Sequence, residues 1–91
     1  MNGARGEVQM IIDGKQQTLC LTLGALAELE TLLECRDISE VPARLRTLSA
    51  KEIRTVLRVL LRAGGGDCSV DGVSLRAAAK AIAESFDAAL G

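Results

Sequence analysis

Basic side chains recur along one segment of the chain at the spacing of a helix surface. Four of them stand three or four residues apart: Lys51, Arg54, Arg58 and Arg62. This spacing places them on one side of a helix. Residues 44–62 hold six basic residues and one acid, whereas residues 24–40 hold five acids and one base. The pattern favours a solvated helix face. The alternative is a docking surface for an acidic partner helix, with these four side chains as its binding residues.

Nucleic acids and membranes are not indicated as partners. The net charge is −1 and Phe86 is the only aromatic residue, so base-stacking platforms and a broad basic field are both missing. No apolar run approaches the roughly 20 residues that span a bilayer. The first residues, MNGARGE, have no hydrophobic signal core. We therefore expect a cytoplasmic protein that binds neither nucleic acid nor membrane.

Catalysis is not indicated either. The chain has no histidine, and no Ser, Cys or Lys has an evident activating partner. A series of acidic residues is formed by Glu28, Glu30, Glu34 and Asp37. It favours a solvated face, because the ligand spacing of a calcium loop is absent. We expect no enzymatic activity, no cofactor, no metal and no small-molecule substrate.

The three cysteines, Cys20, Cys35 and Cys68, are odd in number and have no CxxC spacing. Free thiols in a reducing compartment are the favoured interpretation, since a zinc site without histidine would need an unusual ligand set. Cys20 is predicted on the outward face of a strand and Cys68 in a loop.

A run of three glycines, residues 64–66, has the composition of a phosphate-binding loop. It follows a predicted helix rather than a strand, and no Gly-Lys-Ser/Thr motif follows it. The run is therefore interpreted as a helix C-cap and hinge.

A β-hairpin is predicted near the start of the chain, over about residues 6–23. Two segments alternate in polarity on either side of the turn signal Asp13-Gly14. Residues 13–16 are assigned to the loop. The register that follows pairs Ile12 with Gln17, Met10 with Leu19 and Val8 with Leu21. It places the large apolar residues on one face, with Ile11 as the exception.

Four helices are predicted after the hairpin, over about residues 23–34, 40–48, 50–63 and 75–90. Their N-caps are expected at Thr22, Ser39, Ser49 and Ser74, with Ser49 and Glu52 forming a capping box. The first helix is expected to cover the hairpin. The fold class is α+β, an N-terminal antiparallel β-hairpin packed on a bundle of three to four helices in a single domain, residues 1–91.

The apolar residues of each helix predict the side that faces the core. The first helix contributes Ala25, Leu26, Leu29, Leu32 and Leu33. The third contributes Ile53, Val56, Leu57, Leu60 and Leu61. The last contributes Leu75, Ala78, Ala79, Ile82, Phe86, Ala89 and Leu90. A second strip on the last helix, Ala77, Ala81 and Ala88, is interpreted as exposed helix-forming residues, with close approach of another helix as the alternative.

The segment 5–30 carries a family resemblance. The string RGEV, an apolar strand, DG, a second strand and LTLGALAELE resemble a small family encoded in tail gene clusters of gene transfer agents and related phages. Its members are described as tail assembly chaperone-like proteins. The later helix, residues 50–63 followed by three glycines, fits the same layout.

The resemblance implies a non-enzymatic chaperone of a gene transfer agent, phage or prophage that coats the tape-measure protein during tail morphogenesis. The implied partners are the tape-measure protein and/or the tail tube protein, and self-association is left open. One alternative is a structural minor component of the mature tail, at a tube end or joint. The other is a small adaptor domain unrelated to tails.

Overall fold

The computed structural model describes residues 7–90, in which a hairpin is followed by four helices. The elements are β1 (Glu7–Ile12), β2 (Lys15–Cys20), α1 (Leu23–Leu32), a single 3₁₀ turn (Ile38–Glu40), α2 (Val41–Leu45), α3 (Ala50–Ala63) and α4 (Leu75–Leu90). The predicted α+β class is confirmed. The parts of the predictions that concern residues 1–6 and 91 lie outside the described residues.

The hairpin closes with a shorter loop than the sequence predicts. Asp13 and Gly14 both have positive φ, 53° and 77°, as a type I′ two-residue turn requires. Ile12 therefore pairs with Lys15 rather than with Gln17. The predicted register was wrong by two residues, because the turn needs only the two positions that tolerate positive φ.

The slip of two residues leaves each side chain on its predicted face. Val8 lies opposite Leu19 instead of Leu21, and an even shift preserves the alternation. Ile12 is buried and Ile11 is 64% exposed, so the predicted division of the two faces is confirmed.

The hairpin is covered by the two long helices. β2 packs against α3 and β1 against α4, whereas α1 packs mainly against α3. The expectation that the first helix closes the hairpin was therefore wrong. α1 instead packs against α3, which itself lies on the hairpin.

One hydrophobic core joins these elements, built almost entirely from aliphatic side chains. Its largest fully buried apolar members are Leu19, Leu29, Val41, Val56, Leu57, Leu60 and Leu61. Phe86 from α4 is its single aromatic member. Val59, absent from the predicted helix face, is also buried because α3 packs between neighbours on several sides.

β2 loses its alternation at its last residue. Leu19, Cys20 and Leu21 are consecutive and all buried, so the end of this strand is enclosed on both faces. Cys20 lies on the predicted face, opposite the exposed Glu7, but that face is covered at this end, so the expectation that Cys20 is exposed to solvent was wrong. Burial raises the pKa of the Cys20 thiol, and the charge of Glu7 raises it further.

α1 begins where predicted and ends slightly earlier. The Thr22 hydroxyl accepts the Ala25 N–H at 3.0 Å. The helix is closed by Glu34, whose φ of 57° is the left-handed conformation usually taken by glycine. Leu32, predicted in the core, is 45% exposed because the chain turns away after it.

α2 is shorter than predicted, and Ser39 does not cap it. Ser39 donates both its N–H and its hydroxyl to the Asp37 carboxylate, so its oxygen is not turned to the helix start. A 3₁₀ turn takes up residues 38–40, and Glu40 stands at the N-cap without a capping bond, because its carboxylate accepts the Arg36 N–H instead. Pro42 lies in the first turn, as predicted.

α4 is rotated relative to the predicted core face. Ser74 caps it as expected, accepting the Ala77 N–H at 3.1 Å. Leu75 is 63% exposed. Ala81 is buried in place of the exposed Ala79, so the interpretation of Ala81 as an exposed helix former was wrong. The fully buried Ser85 bonds back to the Ala81 carbonyl at 2.8 Å.

Of the other two members of the small strip on α4, only one is exposed as predicted. Ala77 is half-buried and Ala88 is exposed. The side chain of Leu90 lies outside the described residues. No helix within residues 7–90 has the length and hydropathy to cross a membrane.

Candidate functional site

α3 carries the basic stripe predicted from the sequence, which we define as Lys51, Arg54, Arg58 and Arg62. All four side chains are exposed. The opposite side of α3 supplies buried residues to the core, among them Leu57 and Leu60. The helix thus presents its charges outward from a fixed position.

The start of α3 is fixed by the predicted capping box. The Ser49 N–H donates to the Glu52 carboxylate at 2.9 Å, and the Glu52 N–H donates to the Ser49 hydroxyl at 3.1 Å. Arg44 of α2 forms an ion pair with the same carboxylate. The Ser49 N–H bond first, and then the bond and charge of Arg44, hold the pKa of Glu52 below its ordinary value of 4.5.

The glycine run forms the predicted C-cap of α3, and its role as a hinge stays a prediction. The Gly65 N–H donates to the Arg62 carbonyl at 3.0 Å, and the Gly66 N–H donates to the Leu61 carbonyl at 2.9 Å. These two bonds form a Schellman cap around Gly65, whose φ is 91°. The run therefore serves the helix end.

The structure divides the basic stripe into two pairs. Lys51 and Arg54 line an open groove of 460 Å³ between the first turns of α3 and α4. Arg58 and Arg62 instead border a shallow cleft beside Asp67 and Cys68. The four residues therefore do not form one uniform surface.

The groove is apolar inside and charged along its rim. Its apolar lining comes from both helices and from the connector between them: Ile53, Leu57, Val70, Val73, Leu75 and Ala78. The charged lining residues are Lys51, Arg54 and Asp71. Such a surface can take an apolar side chain from a partner while its rim contacts polar groups.

The rim contains one ion pair. Arg54 contacts Asp71 at 3.3 Å, and their side chains are 51% and 70% exposed. Exposed pairs of this kind contribute about 0–1 kcal/mol. A partner carboxylate can therefore replace Asp71 beside Arg54 at little cost.

The sequence did not predict this groove. Residues 67–73 form a polar connector between α3 and α4 that contains two valines, Val70 and Val73. Val70 is buried and Val73 is half-buried, so the connector folds back against the helices. The spacing of two valines in a polar segment was the available signal.

The acidic series lies apart from the groove. Glu28, Glu34 and Asp37 are exposed and Glu30 is half-buried. Two hydrogen bonds from Ser39 lower the pKa of Asp37. Within residues 7–90, no three His, Cys, Asp or Glu side chains are grouped in a way that could hold a metal ion.

The cysteines are free thiols at three separate places. Cys68 is a half-buried loop residue, as predicted, and Cys35 is half-buried after α1. Burial is the main cause that raises the pKa of Cys35. Cys35 therefore lacks the lowered pKa of a reactive thiol.

Comparison with known proteins gives one family. No curated protein and no solved structure shows significant similarity to the chain. The family described as phage tail tube protein, GTA-gp10, matches residues 5–91, which includes every element described above. The resemblance to a gene transfer agent or phage tail family is confirmed at this level, but the description names a tail tube protein and not a chaperone. The chain belongs to the phage tail tube protein, GTA-gp10, family.

Proposed function

We propose that the protein is a structural component of a gene transfer agent or phage tail, placed at a tube end or joint. The observation that carries this proposal is the family match over residues 5–91, because it spans both the hairpin and the helices that bear the groove. A tail-related structural role also agrees better with the family description than the chaperone role does.

The surface of the domain supports a role in an assembly. Among the side chains that the structure describes, four large apolar ones are exposed at separate places: Ile11, Leu23, Leu32 and Leu75. Scattered exposed leucines are common on monomers. Leu75 differs because it borders the apolar groove. A partner that fills the groove therefore removes Leu75 and the groove lining from water together.

This role consists of binding and requires no catalytic group, which agrees with a chain that has no histidine. We propose that the protein is made and assembled in the cytoplasm of the producing cell. Its contacts are with other tail proteins.

A chaperone for the tape-measure protein is the second candidate. The open groove favours it, because helix-in-groove contact is a common way to cover an apolar stripe on a helical client. The lining lacks the aromatic anchors that mark tight interfaces, and a chaperone must release its client.

Two experiments separate these candidates. In the first, purified tails are analysed by quantitative mass spectrometry. A structural component is retained at a fixed number of copies per tail, whereas a chaperone is lost during maturation. In the second, the tape-measure protein of the same gene cluster is expressed with and without this protein. An increase in soluble tape-measure protein, together with absence from purified tails, would favour the chaperone.

A further inference from the structure

The groove between α3 and α4 has a chemistry that specifies its occupant. We infer that it docks an acidic amphipathic helix of another tail protein. An apolar side chain of that helix enters the groove, and its carboxylates lie against Lys51 and Arg54. The statement that the partner is a tail protein rests on the proposed function, whereas the chemistry of the groove does not.

The volume and lining of the groove fit an apolar side chain on a helix. Its 460 Å³ falls within the range of about 300–1,000 Å³ found for small-molecule pockets, so the groove has room for an apolar side chain. Leu75 stands 63% exposed at its edge, where a monomer gains nothing from it. An inserted side chain covers Leu75 together with the half-buried Ile53 and Val73.

The charge around the groove selects an acidic partner. Lys51 and Arg54 both lie on the α3 side of the rim. Leu75 is the first residue of α4, so the partial positive charge of that helix N-terminus also lies here, whereas the N-terminus of α3 is already compensated by Glu52. Among the described residues of the lining, Asp71 is the single acid, and it stands on the connector.

The position of Asp71 orients the partner. Carboxylates of the docked helix face α3, because on the connector side they would meet Asp71. The exposed pair between Arg54 and Asp71 is weak enough for a partner carboxylate to replace Asp71. The rim therefore sets the orientation of the docked helix as well as the preference for an acidic partner.

The test uses the full chain, labelled with ¹⁵N, and a designed probe. The probe is an 18-residue helical peptide with leucines at positions i, i+3, i+4 and i+7 and glutamates flanking them. A matched peptide has lysine in place of every glutamate. We expect the Leu/Glu peptide to bind with a Kd below about 1 mM and to shift the amide signals of Ile53, Leu57 and Val73. Equal binding of both peptides, or shifts located elsewhere, would overturn the inference.

Variants of the chain locate the effect. The double reversal Lys51→Glu with Arg54→Glu should weaken Leu/Glu binding about tenfold. Glutamates are favourable near a helix N-terminus, so the fold is retained. The matched control is Arg58→Glu with Arg62→Glu, two reversals on the same helix outside the groove, which should change binding less than about twofold. If both doubles weaken binding equally, only the overall charge matters and the inference fails.

Leu75→Ser tests the apolar part separately, because this side chain is too exposed to support the core. Binding should weaken several-fold, with unchanged preference for the acidic peptide. A second copy of this chain is the competing occupant. Sedimentation of the chain alone would reveal it as a dimer that Leu75→Ser dissociates, and that result would also overturn the inference.

The failure of this inference can be distinguished from failure of the proposed function. If the Lys51/Arg54 double variant is incorporated into tails at the normal copy number, the groove is not the docking site although the tail role stands. If the protein is absent from purified tails but binds the Leu/Glu peptide through the groove, the recognition chemistry stands and the structural role fails.

Discussion

Gly64 packs directly against the backbone of Thr18, so that the last turn of α3 and strand β2 are in contact without a side chain between them. A Cβ at position 64 would lie 2.1 Å from the Thr18 carbonyl oxygen and 2.8 Å from its carbonyl carbon. The φ of Gly64 is −85°, so its conformation is ordinary. Glycine is required at position 64 because there is no room for a Cβ, and not because of its backbone conformation.

Gly64→Ala should therefore destabilise the fold strongly. Relief of the clash requires α3 to move away from β2, and overpacking of this kind costs about 1–3 kcal/mol. The free energy of unfolding, measured in urea by circular dichroism, should fall by about 3 kcal/mol. Gly65→Ala is the control, because position 65 has open space but a φ of 91° and should lose only about 1 kcal/mol. Equal stability of the two variants would contradict the close packing.

Glu34→Gly should stabilise the protein. Glu34 has a φ of 57° at the end of α1, where the Cys35 N–H donates to the Glu30 carbonyl at 2.8 Å. Glycine adopts this conformation without the penalty of a Cβ, so we expect a gain of about 0.5–1 kcal/mol. Glu28→Gly, in the interior of the same helix, should instead lose about 1 kcal/mol. Thermal unfolding of both variants checks the opposite signs.

Local signals in the sequence predict part of the fold correctly, whereas the parts decided by turn geometry and tertiary packing are not predicted. The sequence correctly predicts Thr22, Ser49 and Ser74 as caps, because capping depends only on neighbouring residues. The hairpin register was displaced because the loop length was inferred from polarity, whereas the positive φ of Asp13 and Gly14 decides it. The same limit applies to Ser39, whose hydroxyl bonds to Asp37 instead of the helix.

The sequence predicts the basic residues of the candidate site but not the groove beside them. Helical spacing placed Lys51, Arg54, Arg58 and Arg62 on one exposed side of α3. Their division into two pairs depends on where the connector folds, and no periodicity reports that. Val70 and Val73 complete the groove by lying beside the first turns of α3 and α4, which are separated in the sequence, and sequence patterns do not specify such contacts.

Acid should weaken the protein partly through Glu52. Its pKa is lowered in the folded state, so its ionised form adds stability that is present above the unfolded pKa and is lost as pH falls through the folded pKa. The melting temperature should therefore drop as pH decreases from 5 to 3. Glu52→Gln should start lower at pH 7 and show a smaller drop. A variant with the same pH profile as the parent protein would show that the contacts of Glu52 with Ser49 and Arg44 do not contribute.

The three cysteines should react at different rates with a thiol reagent in the folded protein. Cys20 is 8% exposed and burial raises its pKa, so it should be labelled slowest. Cys68 and Cys35 are half-buried and should react earlier, with Cys35 slowed by its raised pKa. Single-cysteine variants at pH 8 give the three rates, and denaturant should equalise them. Fast labelling of Cys20 without denaturant would contradict the enclosed end of β2.

The copy number of the protein in purified tails tests the tail role most directly. The tryptic peptide of residues 63–76, AGGGDCSVDGVSLR, provides a specific reporter when an isotope-labelled standard is added. A tape-measure peptide quantified in the same digest counts the tails. A structural component predicts a constant ratio to the tape-measure protein of at least one copy per tail in every preparation. A ratio far below one copy per tail, in particles that retain the tube, would contradict the proposed role.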